Sequence, residues 1–102
     1  MAGFRLHPGN DGVLYLAGEL DMASADGFVA DALARMDGQR DVVLDLSDLQ
    51  FVDSTGIRAF LKLAKAVEPR PVVLRDPHPN VHHVLDVVRI ETFGVRVERP
   101  AE

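Results

Sequence analysis

Between Asp41 and Val67 the hydrophobic period of the chain changes once, and the change predicts a strand, a turn and a helix in that order. Val42, Val43, Leu44 and Leu46 form a short β-branched and apolar run interrupted only by Asp45. Such a run is expected of a strand covered on both faces, and so of a parallel sheet. Beyond Asp53-Ser54-Thr55-Gly56, apolar residues recur at Ile57, Phe60, Leu61 and Ala64, spaced i, i+3, i+4 and i+7, while Arg58, Lys62 and Lys65 fall off that stripe. This is the pattern of a helix packed by one face. Ser54 stands at its expected N-cap, where a serine oxygen accepts a backbone N–H and contributes about 1 kcal/mol. Gly56 allows a tight turn or the close approach of a partner.

The flanking sequence extends the alternation. Phe4 to His7 and Val13 to Ala17 are strand-like and are separated by Pro8-Gly9-Asn10-Asp11-Gly12, a hairpin loop by composition. Ala25, Phe28, Val29, Ala32, Leu33 and Met36 make a helical stripe ending before Gly38; Val72 to Leu74 is another strand; Val81, Val84, Leu85 and Val88 make a third helix. Val95 and Val97 suggest a last strand. The expected fold is therefore α/β, a mostly parallel four- to five-stranded sheet with an antiparallel N-terminal strand, packed by helices joined through right-handed crossovers. Strand-to-helix loops gather at one end of such a sheet, which puts the Asp21 loop and the Ser54 loop together.

Composition narrows the function. With 102 residues, 47% of them apolar and 26% charged, residues 1–102 read as one globular domain. No run of 18 apolar residues occurs, and MAGFRLHPGN lacks a signal-peptide pattern; the expectation is a cytoplasmic protein without a membrane span. The absence of cysteine removes disulfides, thiolate catalysis and cysteine-based metal sites. A net charge of −5 with dispersed basic residues disfavours nucleic-acid binding. Arg58, Lys62 and Lys65 have the spacing of one helix face, either solvated or in contact with a partner.

Enzyme signatures are missing. Dimeric aspartic proteases use Asp-Thr-Gly or Asp-Ser-Gly, whereas Gly56 lies three residues after Asp53, and no nucleophile elbow, P-loop or dinucleotide fingerprint occurs. No histidine is placed by sequence as a base for Ser54, so catalysis is not expected, and neither is a cofactor. His78 and His82 share a helical spacing, but Pro79 between them and the lack of a third ligand favour surface histidines over a metal site. A pH-sensitive surface charge is what remains for them.

The central segment resembles the signature of STAS domains, in particular the anti-sigma factor antagonists of bacteria. Gly18-Glu19-Leu20-Asp21 resembles the stretch between the family's second strand and first helix. Leu44-Asp45-Leu46 with Phe51-Val52-Asp53-Ser54-Thr55-Gly56-Ile57 resembles its core motif, and Pro79-Asn80-Val81 through Leu85 its third helix. Three positions depart from the family: His78 replaces a frequent serine, Arg89 stands near a helix-closing glycine, and Glu68-Pro69-Arg70-Pro71 replaces a glycine-containing link.

The resemblance implies that Ser54, or else its neighbour Thr55, is phosphorylated by an anti-sigma factor that is itself a serine kinase, and that a PP2C-type phosphatase reverses it. The unphosphorylated form would bind the anti-sigma factor and free a sigma factor. Asp21, Asp53, Ser54, Thr55, Gly56 and Arg58 are the implied partner-binding residues. Asp21 has the alternative of capping the Ala25 helix, Asp53 that of fixing the turn; Phe51 and Ile57 are expected in the core, with apolar contact to the partner as their alternative. A phosphate at Ser54 would gain about 0.3 to 1 kcal/mol from the helix dipole. Asp53 would repel it, and displacement and desolvation in a packed interface should outweigh the gain. The alternative for the same fold is an adaptor subunit binding the ATPase of a lipid-transporting ABC system, or a ligand-sensing module.

Overall fold

The computed structural model describes residues 3–36 and 41–99. Its elements are β1 (Phe4–Pro8), β2 (Leu14–Leu20), α1 (Ala25–Arg35), β3 (Val42–Val52), α2 (Ser54–Ala66), β4 (Val72–Arg75), α3 (Pro79–Val87), a 3₁₀ turn (Ile90–Phe93) and β5 (Val95–Glu98). The five strands form one sheet in the order β1-β2-β3-β4-β5. β1 and β2 are antiparallel, and every later pair is parallel. The hairpin closes because Asp11 accepts the Val13 amide at 3.1 Å and Gly12 takes φ 82°, a conformation open to glycine without a Cβ clash.

Because consecutive parallel strands are neighbours, right-handed crossovers put α1, α2 and α3 on one face of the sheet. The register separates the two faces. Leu14, Leu44 and Leu74 lie side by side in the core beneath the helices, and their sequence neighbours Tyr15, Asp45 and Arg75 pair across the opposite face. Phe28 of α1 meets Phe4 and Phe60 edge-on, with ring centroids 5.7 Å away in both cases, a favoured aromatic geometry. On the bare face the carboxylate of Asp45 is almost buried, at 8% exposure. Arg75 reaches it through Nη2 at 2.9 Å and Nε at 3.1 Å, and the Ser47 hydroxyl donates to it at 2.6 Å. Burial works against the charged form, but the Ser47 and Arg75 hydrogen bonds outweigh it and hold Asp45 below the usual carboxylate range.

Several expectations need correcting. β3 continues past Leu46 to Val52, with register irregularities near Tyr15/Ala17 and Gly18/Glu19. These bulges break the alternation, so Phe51 is 45% exposed instead of packed in the core. In α2 Leu63 is buried in the place expected for Leu61, which is only half-buried. Val88 lies past the end of α3 and is exposed, while Ile90 in the unanticipated 3₁₀ turn is buried in its place. Arg89 adopts φ 52°, the left-handed conformation for which a glycine is usual. Gly38, the expected stop of the first helix, lies outside the described residues; α1 ends at Arg35 with Met36 as its C-cap. Among the described residues no helix is long and apolar enough to cross a membrane.

Candidate functional site

The loops after β2 and β3 meet at the C-terminal end of the sheet, joined by the Asp53 amide donating to the Leu20 carbonyl at 3.3 Å. Asp53, not Ser54, is the N-cap of α2. One of its oxygens accepts the Thr55 amide at 2.9 Å, the Gly56 amide at 3.2 Å and the Thr55 hydroxyl at 2.5 Å. Its carbonyl accepts the Ile57 amide at 3.0 Å. A single carboxylate oxygen thus serves three donors at the helix start. The Thr55 hydroxyl holds Asp53 below the usual carboxylate range; burial opposes it, and the Gly56 and Thr55 amides add to the lowering.

Displacement of the cap by one residue frees the serine. Ser54 is the first residue of the helix and is exposed, and its hydroxyl has no hydrogen-bond partner among the described residues. Thr55 is half-buried with its hydroxyl committed to Asp53. Gly56 is buried, and a Cβ there would lie 2.5 Å from Val52 Cγ2 and 2.9 Å from the Leu20 carbonyl oxygen. The close approach it permits is therefore that of α2 to its own sheet, and Gly56 presents no surface to a partner. Arg58 is exposed one turn along.

Asp21 lies in the adjoining loop without touching Ser54. Its Oδ1 accepts the Ala23 amide at 3.0 Å and the Ser24 hydroxyl at 3.2 Å, and its carbonyl accepts the Ala25 amide at 2.9 Å. The N-cap position of α1 belongs to Ser24, whose hydroxyl turns back to the Glu19 carbonyl at 3.1 Å. Asp21 thus shapes the turn that precedes α1, a role between the two foreseen for it.

Two residues outside the expected set join this end of the molecule. Met22 is 80% exposed and, with Asp26, Thr55, Arg58 and Lys62, lines a cleft of about 270 Å³ between α1 and α2. Phe51 stands exposed at the end of β3. Met22 carries no periodic signal, being a lone apolar residue beside Asp21, and Phe51 is hidden by the bulged register. Asn80 at the start of α3 donates to the Gln50 carbonyl at 2.8 Å, fixing the strand end that leads into the site. The assembly offers an exposed hydroxyl, unbonded among the described residues, at a helix start that also carries Asp53, Arg58 and Met22.

A family model described as Mlab, STAS domain, matches residues 5–97. BtrV of Bordetella bronchiseptica, inferred to be an anti-sigma factor antagonist, is 35% identical over 82 residues, which is 76% of this chain and 71% of that protein. Among solved structures, the unphosphorylated anti-sigma factor antagonist SpoIIAA superposes with a TM-score of 0.73 at 18% identity, over 98% of this chain and 90% of that one. An anti-sigma factor antagonist from Mycobacterium paratuberculosis superposes with a TM-score of 0.75 at 19% identity, over 99% of this chain and 87% of that one. At such identities the two superpositions speak for the fold.

Proposed function

This chain belongs to the STAS domain family, and on that premise we propose that it is an anti-sigma factor antagonist whose binding is switched off by phosphorylation of Ser54. The observation that carries this reading is the state of the Ser54 hydroxyl, exposed and unbonded at a helix start whose cap is supplied by the residue before it. The relative named an anti-sigma factor antagonist supports the pathway. The protein acts in the cytoplasm by binding and not by catalysis. Unphosphorylated, it engages an anti-sigma factor serine kinase through Asp21, Ser54, Arg58 and the exposed parts of Asp53 and Thr55, and so frees a sigma factor.

The switch follows from charge and from where the donors already point. The kinase transfers the γ-phosphoryl of ATP to Ser54 Oγ, the hydroxyl proton leaves with the kinase's base, and ADP departs. The product carries about −1.5 to −2 charges at a point that was neutral. The helix amides of Thr55 and Gly56 are taken by Asp53, so the phosphate finds less backbone attraction than an empty helix start would give. It stays at the surface beside the Asp53 carboxylate, where it opposes a packed interface while the domain stays folded. A PP2C-type phosphatase resets the protein.

Intact-mass spectrometry with site mapping, on protein from its native cell, tests the reading. Phosphate on Ser54 and none in Ser54→Ala is the expected result; a chain unmodified through growth and stress would overturn it. That second result would favour an adaptor role on the ATPase of a lipid-transporting ABC system, using the same surface without modification. The description of the matching family model, Mlab, STAS domain, is the observation on that side.

A further inference from the structure

We propose that Arg58 is the intramolecular receptor for a phosphate on Ser54, so that modification also removes this cation from the partner-binding surface. The inference rests on the reading of Ser54 as the phosphoacceptor. Ser54 and Arg58 are the first and fifth residues of α2, and an i, i+4 pair brings their Cβ atoms to about 5–6 Å on one helix face. Helical side chains tend to lean toward the N-terminus, a direction that gives the Arg58 guanidinium reach to a phosphate on Ser54.

The receptor is available. Both residues are exposed, and among the described residues no ion pair or side-chain hydrogen bond engages the Arg58 guanidinium. Asp26 lines the same cleft as Arg58, yet no salt bridge joins them. The other groups close to Ser54 do not compete. Asp53 is acidic and spends its Oδ1 on Thr55 and Gly56, and Lys62 is a further turn along the helix. With those amides occupied, the planar guanidinium one turn along is the strong donor within reach of a phosphate, and Arg suits phosphate through two parallel N–H bonds. Serine itself offers Arg58 nothing comparable, so the contact appears only on modification.

Phosphoserine placed at position 54 by genetic encoding tests the clamp without any kinase. The readout is the second ionisation of the phosphate, followed by ³¹P NMR against pH. An adjacent guanidinium favours the dianion, so the midpoint in the otherwise wild-type chain should fall on the order of 0.5 pH unit below that of Arg58→Gln. Arg58→Lys should restore part of the shift, and Lys62→Gln should leave the wild-type midpoint unchanged. Equal midpoints in wild type and Arg58→Gln would overturn the clamp, as would an equal response to Lys62→Gln, which would mean a diffuse field. Neither result touches the question of whether a cell phosphorylates Ser54, which the mass measurement answers separately.

Discussion

Asp53 holds the start of α2 through one carboxylate oxygen that accepts three hydrogen bonds. Removing it in Asp53→Ala leaves the Thr55 and Gly56 amides without their partner and should cost about 1–2 kcal/mol, read from the urea midpoint at pH 7. The dependence on pH has a definite sign. Because the folded-state pKa is depressed, the contribution is complete above the unfolded carboxylate value of about 4 and is lost as pH falls through the folded one. Asp53→Asn should accordingly lose less stability than wild type between pH 7 and pH 3. At Gly56 the obstacle is steric: an added methyl meets the Leu20 backbone as well as Val52. Gly56→Ala should cost about 1–3 kcal/mol by the same measurement. Nothing in the string Asp53-Ser54-Thr55-Gly56 reveals which of three capping residues turns inward, since aspartate, serine and threonine all serve. Ser54 was therefore singled out through family resemblance, and its exposure is visible only through the fold.

The elements on the bare sheet face are tied together by one ionic cluster. Arg75 of β4 bonds Asp45 of β3 and, at 3.3 Å, the Tyr15 hydroxyl of β2, so three strands share it. Arg75→Gln leaves an almost buried carboxylate short of its charged donor and should lower stability by about 2 kcal/mol, seen as a lower Tm with the fold retained by circular dichroism. The Asp45 pKa is depressed in the folded state, so this contribution too is full above about pH 4 and fades with acidification. Periodicity made most elements readable, because a helix with one buried face and a strand under helices each impose a distinct spacing. It failed where geometry departs from the ideal. The second half of β3, Ser47-Asp48-Leu49-Gln50, shows no regular alternation because Ser47, Asp48 and Gln50 are exposed and only Leu49 is buried, and the bulges shift Phe51 away from the core. Leu61 and Leu63 both fit a wide helical stripe, and only packing against the sheet selects Leu63.

At the scale of the whole molecule, three helices cover one face of the sheet and leave the strand ends to present the site, so a change at Ser54 is a change to the surface and not to the core. Ser54 is exposed, is not the helix cap, and has no hydrogen-bond partner among the described residues. Surface substitutions of this kind usually alter stability by no more than about 0.5 kcal/mol, which for a domain of this size is a shift of Tm within about 3 °C. Inside a packed interface the same negative charge is desolvated beside Asp53, and unmatched buried charges there cost about 2–5 kcal/mol. Since 1.4 kcal/mol is tenfold in affinity, Ser54→Asp should bind the cognate anti-sigma factor kinase at least about tenfold more weakly in calorimetric titration, with an almost unchanged Tm. Asp53→Ala should lose both stability and binding, because it loosens the helix start that presents the serine. Ser54→Asp binding as tightly as wild type would refute the switch, and a large fall in its Tm would mean that the charge acts by unfolding the helix start instead of by blocking an interface.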